Sequence, residues 1–169
     1  HSKRPSVFKN ALIYRIAPTW MADLELMEAG LEAALYVECG ASQEKAVGWT
    51  EPRGEANGVL AESVAGQILL KFMVEAKAVP NSVVNRKVKE ELSKIEAATG
   101  RKPGKRETKE IKEDIKLSLM PLAFTKLSSV LVWIDAKAQL LTIGASSTAK
   151  ADEVITYLVK CLDGFSVMP

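Results

Sequence analysis

The chain has 169 residues, of which 47% are hydrophobic and 26% charged, with a formal net charge of +2. That length suits one ordinary domain, with or without a projecting subdomain, and the composition is globular rather than disordered. With no apolar run of about 18 residues and no basic-apolar leader, neither a membrane span nor secretion is expected, and the chain reads as cytoplasmic.

His1 to Ser6 reads as an expression remnant. Phe8 to Ala17 mixes β-branched, aromatic and alternating polar positions and reads as a strand that Pro18-Thr19 breaks. From Met21 to Leu35, the spacing of Leu24, Met27, Leu31 and Leu35 predicts an amphipathic helix. A glycine-rich polar stretch follows, with a short strand at Ala46 to Thr50. Strands are then expected at Val59 to Val64 and Gln67 to Ala78, joined by a tight turn at Ala65-Gly66.

Pro80-Asn81-Ser82 opens a helix with Asn81 or Ser82 as cap candidates, and Gly100 ends it. Its apolar stripe is Val84, Val88, Leu92 and Ile95. After the loop Arg101 to Arg106, a second helix carries Thr108, Ile111, Ile115 and Leu119 on one side, up to Pro121. Two narrow stripes and a short connection predict a projecting antiparallel helical hairpin. Ser128 to Asp135 and Gln139 to Ala145 read as strands, and Ala149 to Leu162 as a last amphipathic helix. The expected fold is α+β, a mostly antiparallel sheet with packed helices. Residues 7–79 and 120–169 would form the body, and residues 80–119 a basic hairpin tip.

The only histidine is His1, which removes the usual general base and the histidine-dependent nucleophile pairs and zinc sites. Cys39 and Cys161 stand far apart and are expected buried and reduced. Asp135, Asp152 and Glu153 form no metal-ligand pattern, and no phosphate-binding glycine loop is present. No catalytic residue, metal, cofactor or small-molecule substrate is therefore expected.

Charge is more informative. Between Pro80 and Lys116 there are eleven Lys and Arg against seven Asp and Glu, while the rest of the chain carries twelve against fourteen. The whole positive surplus lies on the hairpin, at Arg86, Lys87, Lys89, Lys94, Arg101, Lys102, Lys105, Arg106, Lys109, Lys112 and Lys116. Such a segment binds phosphates with release of counterions. The competing reading is a solvated hairpin held by pairs such as Glu90-Lys94 and Lys109-Glu113. Of the tryptophans, Trp133 in its apolar strand is expected in the core. Trp49 in a polar stretch is the candidate for stacking on bases, or else covers one end of the sheet.

The segments FKNALIYRI, GASQEKAVGW, VAGQILLKF, AVPNSVVNRKV, LMPLAF, VWID and GASSTAKADEVITYL, in this order across Phe8 to Leu162, resemble the RdgC family of bacterial recombination-associated proteins. The resemblance implies a ring-forming homodimer on the nucleoid that holds double-stranded DNA without sequence specificity, also binds single strands, and limits access of RecA. It implies subunit contacts at the proline entry, Pro80, and at Phe124 of Pro121-Leu122-Ala123-Phe124. Phe124 would otherwise cap the local core. The resemblance also implies that this chain is an amino-terminal half, with one ring contact and part of the DNA-lining surface in the other half. The alternative function is a protein-interaction and dimerisation scaffold, with DNA binding in the other half.

Overall fold

A computed structural model describes residues 10–168. The expected remnant at residues 1–6 and the first residues of the predicted opening strand lie outside them. The fold is α+β, and the described residues form four helices and an antiparallel sheet of seven strands. The strands run β1 (Leu12–Ile16), β2 (Lys45–Thr50), β3 (Glu62–Val64), β4 (Gln67–Lys77), β5 (Thr125–Asp135), β6 (Leu140–Ile143) and β7 (Val167–Met168). The helices are α1 (Leu24–Glu32), α2 (Asn81–Thr99), α3 (Lys105–Leu119) and α4 (Thr148–Cys161). The sheet order is β2-β4-β5-β6-β1-β7, with β3 paired to β4. By packing, the chain divides into one unit of residues 10–37, 47–74 and 128–168, and a second of residues 38–46 and 75–127.

The first unit holds a continuous apolar core. Alternate residues of the strands feed it, among them Leu70 and Phe72 of β4, Val132 and Ile134 of β5, and Leu141 and Ile143 of β6. Period-two alternation sends these side chains to one sheet face, and the residues between them, Lys71, Trp133 and Thr142, to the other. Met27 and Leu31 of α1, and Ala151, Val154 and Leu158 of α4, close the core. Asp23 caps α1 by accepting from the Glu25 and Leu26 N–H groups, and Ser147 caps α4 by accepting from Lys150. Where α1 passes α4 there is no room for a side chain. A Cβ on Gly30 would lie 1.9 Å from the Cys161 carbonyl oxygen.

Several elements depart from what the sequence predicts, each for a tertiary reason. Helix α1 stops at Glu32, so Leu35 leaves the expected stripe and bridges to Trp49 in parallel. Leu24 and Leu35 are both exposed. The strand expected from Val59 begins only at Glu62, because the Leu60 and Ala61 N–H groups donate to the Glu28 carboxylate at 2.9–3.0 Å instead of to a neighbouring strand. Trp49 is fully buried: it packs edge-on to Phe72 with centroids 5.0 Å apart, and its indole N–H donates to the Cys161 sulfur. A base cannot stack on it. Trp133, expected inside, is only partly buried, and so are both cysteines, which are free. The turn at Ala65-Gly66 is as predicted, with both residues at positive φ as a two-residue hairpin loop requires.

The second unit is built on α2 and α3, which pack along each other. Val84, Val88 and Met120 are buried within it, while Leu92, Ile95, Ile111, Ile115 and Leu119 are half-covered. Neither Asn81 nor Ser82 caps α2, which starts directly after Pro80 without a side-chain cap. Gly100 ends it in the left-handed conformation at φ 70°, donating its N–H to the Glu96 carbonyl. The segment 38–46 is tied to the end of β4. There the buried Glu75 carboxylate accepts the Cys39 N–H at 2.8 Å, and the Lys77 ammonium donates to the Gly40 and Ala41 carbonyls at 3.0 Å. Burial and the neighbouring Glu75 charge push the Cys39 thiol above its ordinary pKa.

Candidate nucleic-acid interface

The loop between α2 and α3 is fixed by short local bonds. Thr99 donates its hydroxyl to the Ile95 carbonyl at 2.7 Å, and the same oxygen accepts the Arg101 N–H at 3.3 Å. At the start of α3, both the N–H and the hydroxyl of Thr108 donate to the Gly104 carbonyl, at 2.9 and 2.8 Å. The tip therefore presents Arg101, Lys102, Lys105 and Arg106 from an ordered turn, all four exposed. Arg86, Lys87, Lys89, Lys94, Lys109 and Lys112 are exposed along the two helices, and Lys116 is half-covered.

Ion pairing sorts these cations. Arg101 donates to Glu107 at 3.1 Å, Arg106 lies 3.8 Å from Glu110, and Lys116 lies 3.8 Å from Glu44. The predicted pairs Glu90-Lys94 and Lys109-Glu113 do not form. Among the described residues, the other eight hairpin cations have no carboxylate in salt-bridge range. The Arg106 pair is largely in water, so it is worth about 0–1 kcal/mol. The hairpin is thus not a self-neutralised surface. On the outer side of α2, Arg86, Lys89 and Lys94 border a shallow groove with Glu90 and Ser93.

A second surface lies where α3 runs into β5. Pro121 sits in a single 3-10 turn, Met120–Leu122, that buries Met120 and turns the chain outward. Leu122 is then 78% exposed and Phe124 92% exposed. Together with Val79, Pro80, Val83 and Leu119 they line an apolar hollow of about 240 Å³. Phe124 does not cap a local core. Val83 is not legible as a member of this patch, because it comes from the start of α2, far along the chain from Leu119 and Leu122. The signal within reach was the apolar run Leu119 to Phe124, interrupted only by a helix-ending proline.

In the first unit, a hollow of about 580 Å³ is lined by Asn10, Ser128, Ser129, Ser146, Ser147 and Lys150. Among the described residues, no group of three or more His, Cys, Asp or Glu is placed to hold a metal ion. None of their helices is long and apolar enough to cross a membrane.

Residues 7–169 match the protein family described as "Putative exonuclease, RdgC". The recombination-associated protein RdgC of Dechloromonas aromatica (strain RCB) is 39% identical over 158 residues, 94% of this chain and 51% of that protein. The protein of the same name from Bordetella pertussis is 40% identical over 156 residues, covering 92% of this chain and 52% of the relative. That of Tolumonas auensis is 34% identical over 162 residues, 96% of this chain and 54% of the relative. The chain spans about half the length of the curated relatives it matches. The family description names an exonuclease, whereas the relatives' name speaks of recombination alone.

Proposed function

The chain belongs to the RdgC family, and from that footing we propose that it is a non-enzymatic, nucleoid-associated DNA-binding protein that limits RecA-dependent recombination by occupying DNA. One observation carries the reading. The positive surplus of the sequence lies on one helical hairpin, and most of its cations are exposed and unpaired. Such side chains neutralise phosphates and carry no base information, so duplex and single-stranded DNA are both ligands and base sequence matters little. The relatives' name, which places them in recombination, is in keeping with it.

Anisotropy of labelled duplexes tests this reading directly. Random and defined sequences are expected to bind within about threefold of each other, because each base-specific contact would separate them by about 1–3 kcal/mol. Strong preference for one sequence contradicts the reading. So does shortening of an end-labelled duplex in magnesium, which an exonuclease would cause.

The apolar hollow favours a second element, self-association. Exposed aromatic surface beside Leu122 and Pro80 suits burial against another copy, and a phenylalanine in such a patch anchors interfaces. A homodimer through Pro80 and Phe124, the ring contact of the whole protein, is the arrangement we assign to it. Light scattering is expected to give twice the 18.4 kDa chain mass. Phe124→Glu is expected to halve it, since an anchor loss of about 2 kcal/mol weakens a dimer by roughly 30-fold. An unchanged mass in the variant excludes Phe124 from the contact. If the hairpin leaves DNA unbound while dimerisation persists, the chain is instead a dimerisation scaffold.

A further inference from the structure

The eleven cations of the hairpin are not equivalent, because α3 separates its charges by side. Spacings of four, three and four residues put Lys105, Lys109, Lys112 and Lys116 along one edge of the helix. Spacings of three and four put Glu107, Glu110 and Asp114 along another, and the exposed Glu113 falls between Lys109 and Glu110. The half-covered stripe of Ile111, Ile115 and Leu119 runs between the two edges. Ion pairing sharpens the division. The acidic edge holds two arginines, Arg101 on Glu107 and Arg106 on Glu110. Lys105, Lys109 and Lys112 are exposed and, among the described residues, have no carboxylate in range.

We propose that the lysine edge Lys105-Lys109-Lys112 is the side of the hairpin that lies along the phosphate backbone, and that the acidic edge turns duplex DNA away. The inference rests on the DNA-binding reading above and narrows it to one side of one helix. At 1.5 Å of rise per residue, the three lysines span roughly 10 Å of the helix, a line of charge that a sugar-phosphate strand can follow. A duplex approaching from the other edge meets Glu107, Glu110 and Asp114, where like charge opposes it. The arginines held on that edge contribute less, because each phosphate contact there must displace a carboxylate. Charge position, rather than net charge, then decides how the hairpin meets DNA.

Two charge-matched double variants of the full chain decide the matter, each reversing two exposed lysines that the structure shows unpaired. Lys109→Glu/Lys112→Glu breaks the proposed edge, and Lys87→Glu/Lys94→Glu makes the same change on α2. Binding to a fluorescent random duplex is read across a salt series, with circular dichroism as the check on folding. The first pair is expected to weaken binding at least tenfold and to flatten the salt slope by about two. The second should lose clearly less, about threefold with a slope change under one, because lysines on α2 add to the field of the hairpin without lying along the bound strand. Equal losses in both pairs overturn the edge assignment and leave DNA binding by the hairpin standing. Absence of binding by the unmodified chain sinks the DNA reading itself, and the edge with it.

Discussion

Replacing Gly30 by alanine is expected to cost the first unit about 3 kcal/mol or more, beyond the usual range for an added methyl group in a packed interior. The cause is a backbone-to-backbone approach. The new Cβ would fall 1.9 Å from the Cys161 carbonyl oxygen and 3.0 Å from its carbon. Neither atom belongs to a side chain that can rotate away. Cys161 is the last residue of α4 and is followed by Leu162, a buried residue whose N–H donates to Leu158. Relief therefore requires α1 and α4 to part, and their separation opens the core around Met27, Leu31 and Leu158. Thermal unfolding is the measurement: a drop on the order of 10 °C is expected for Gly30→Ala. Ala29→Ser, one residue away and exposed, should melt within a few degrees of the parent. A Gly30→Ala protein as stable as the parent would show that the two helices are further apart than described.

Reversing the four charges of the tip, Arg101→Glu, Lys102→Glu, Lys105→Glu and Arg106→Glu, is expected to weaken duplex binding by roughly two orders of magnitude or more at low salt. Lys102 and Lys105 are lost as phosphate partners, Arg101 and Arg106 no longer offset Glu107 and Glu110, and four repelling carboxylates are added. Stability should change little. The turn is held by Gly100, Thr99, Gly104 and Thr108, none of which is altered. The two ion pairs that are lost are largely exposed and worth about 0–1 kcal/mol each. Gel-shift titration of the variant reads the first effect and its melting curve the second. Unchanged affinity would move DNA binding off the tip and leave the hairpin as an interaction scaffold.

The sequence is most legible where local rules operate. Gly100 ends α2 because only a residue at ease with φ 70° can turn the chain there, and that requirement is written in one letter. The strands β4, β5 and β6 follow from alternation, and the hairpin from two short apolar stripes around a basic loop. Legibility fails where a distant group supplies the missing partner. Trp49 looks exposed among Gly48 and Thr50, yet Phe72 and Cys161 cover it. Leu60 and Ala61 look like strand residues, yet their N–H groups go to Glu28. Nothing near Gly30 announces Cys161. Strand β7, two residues long, is too short for any periodicity.

In the candidate interface, the eleven cations can be counted from the sequence, and the count predicts an anionic partner. The count does not distinguish Arg106, which faces Glu110, from Lys109, which is free. That distinction is partly present in the sequence, as the spacing 105, 109, 112, 116 set against 107, 110, 114. It emerges only once helical register is imposed on the charges rather than on the apolar residues. Phe124 differs: its exposure is set by the single turn around Pro121, which no local preference fixes.

If this chain holds DNA through phosphate contacts on its hairpin, binding must respond steeply to salt. Anisotropy of a labelled random duplex, titrated with the chain from about 50 to 200 mM salt, tests it most directly. Saturable binding is expected, its logarithm falling linearly with the logarithm of salt with a slope of about −3.6 or steeper, as four or more phosphate contacts require. Binding that ignores salt, or no binding at the lowest salt, would contradict it.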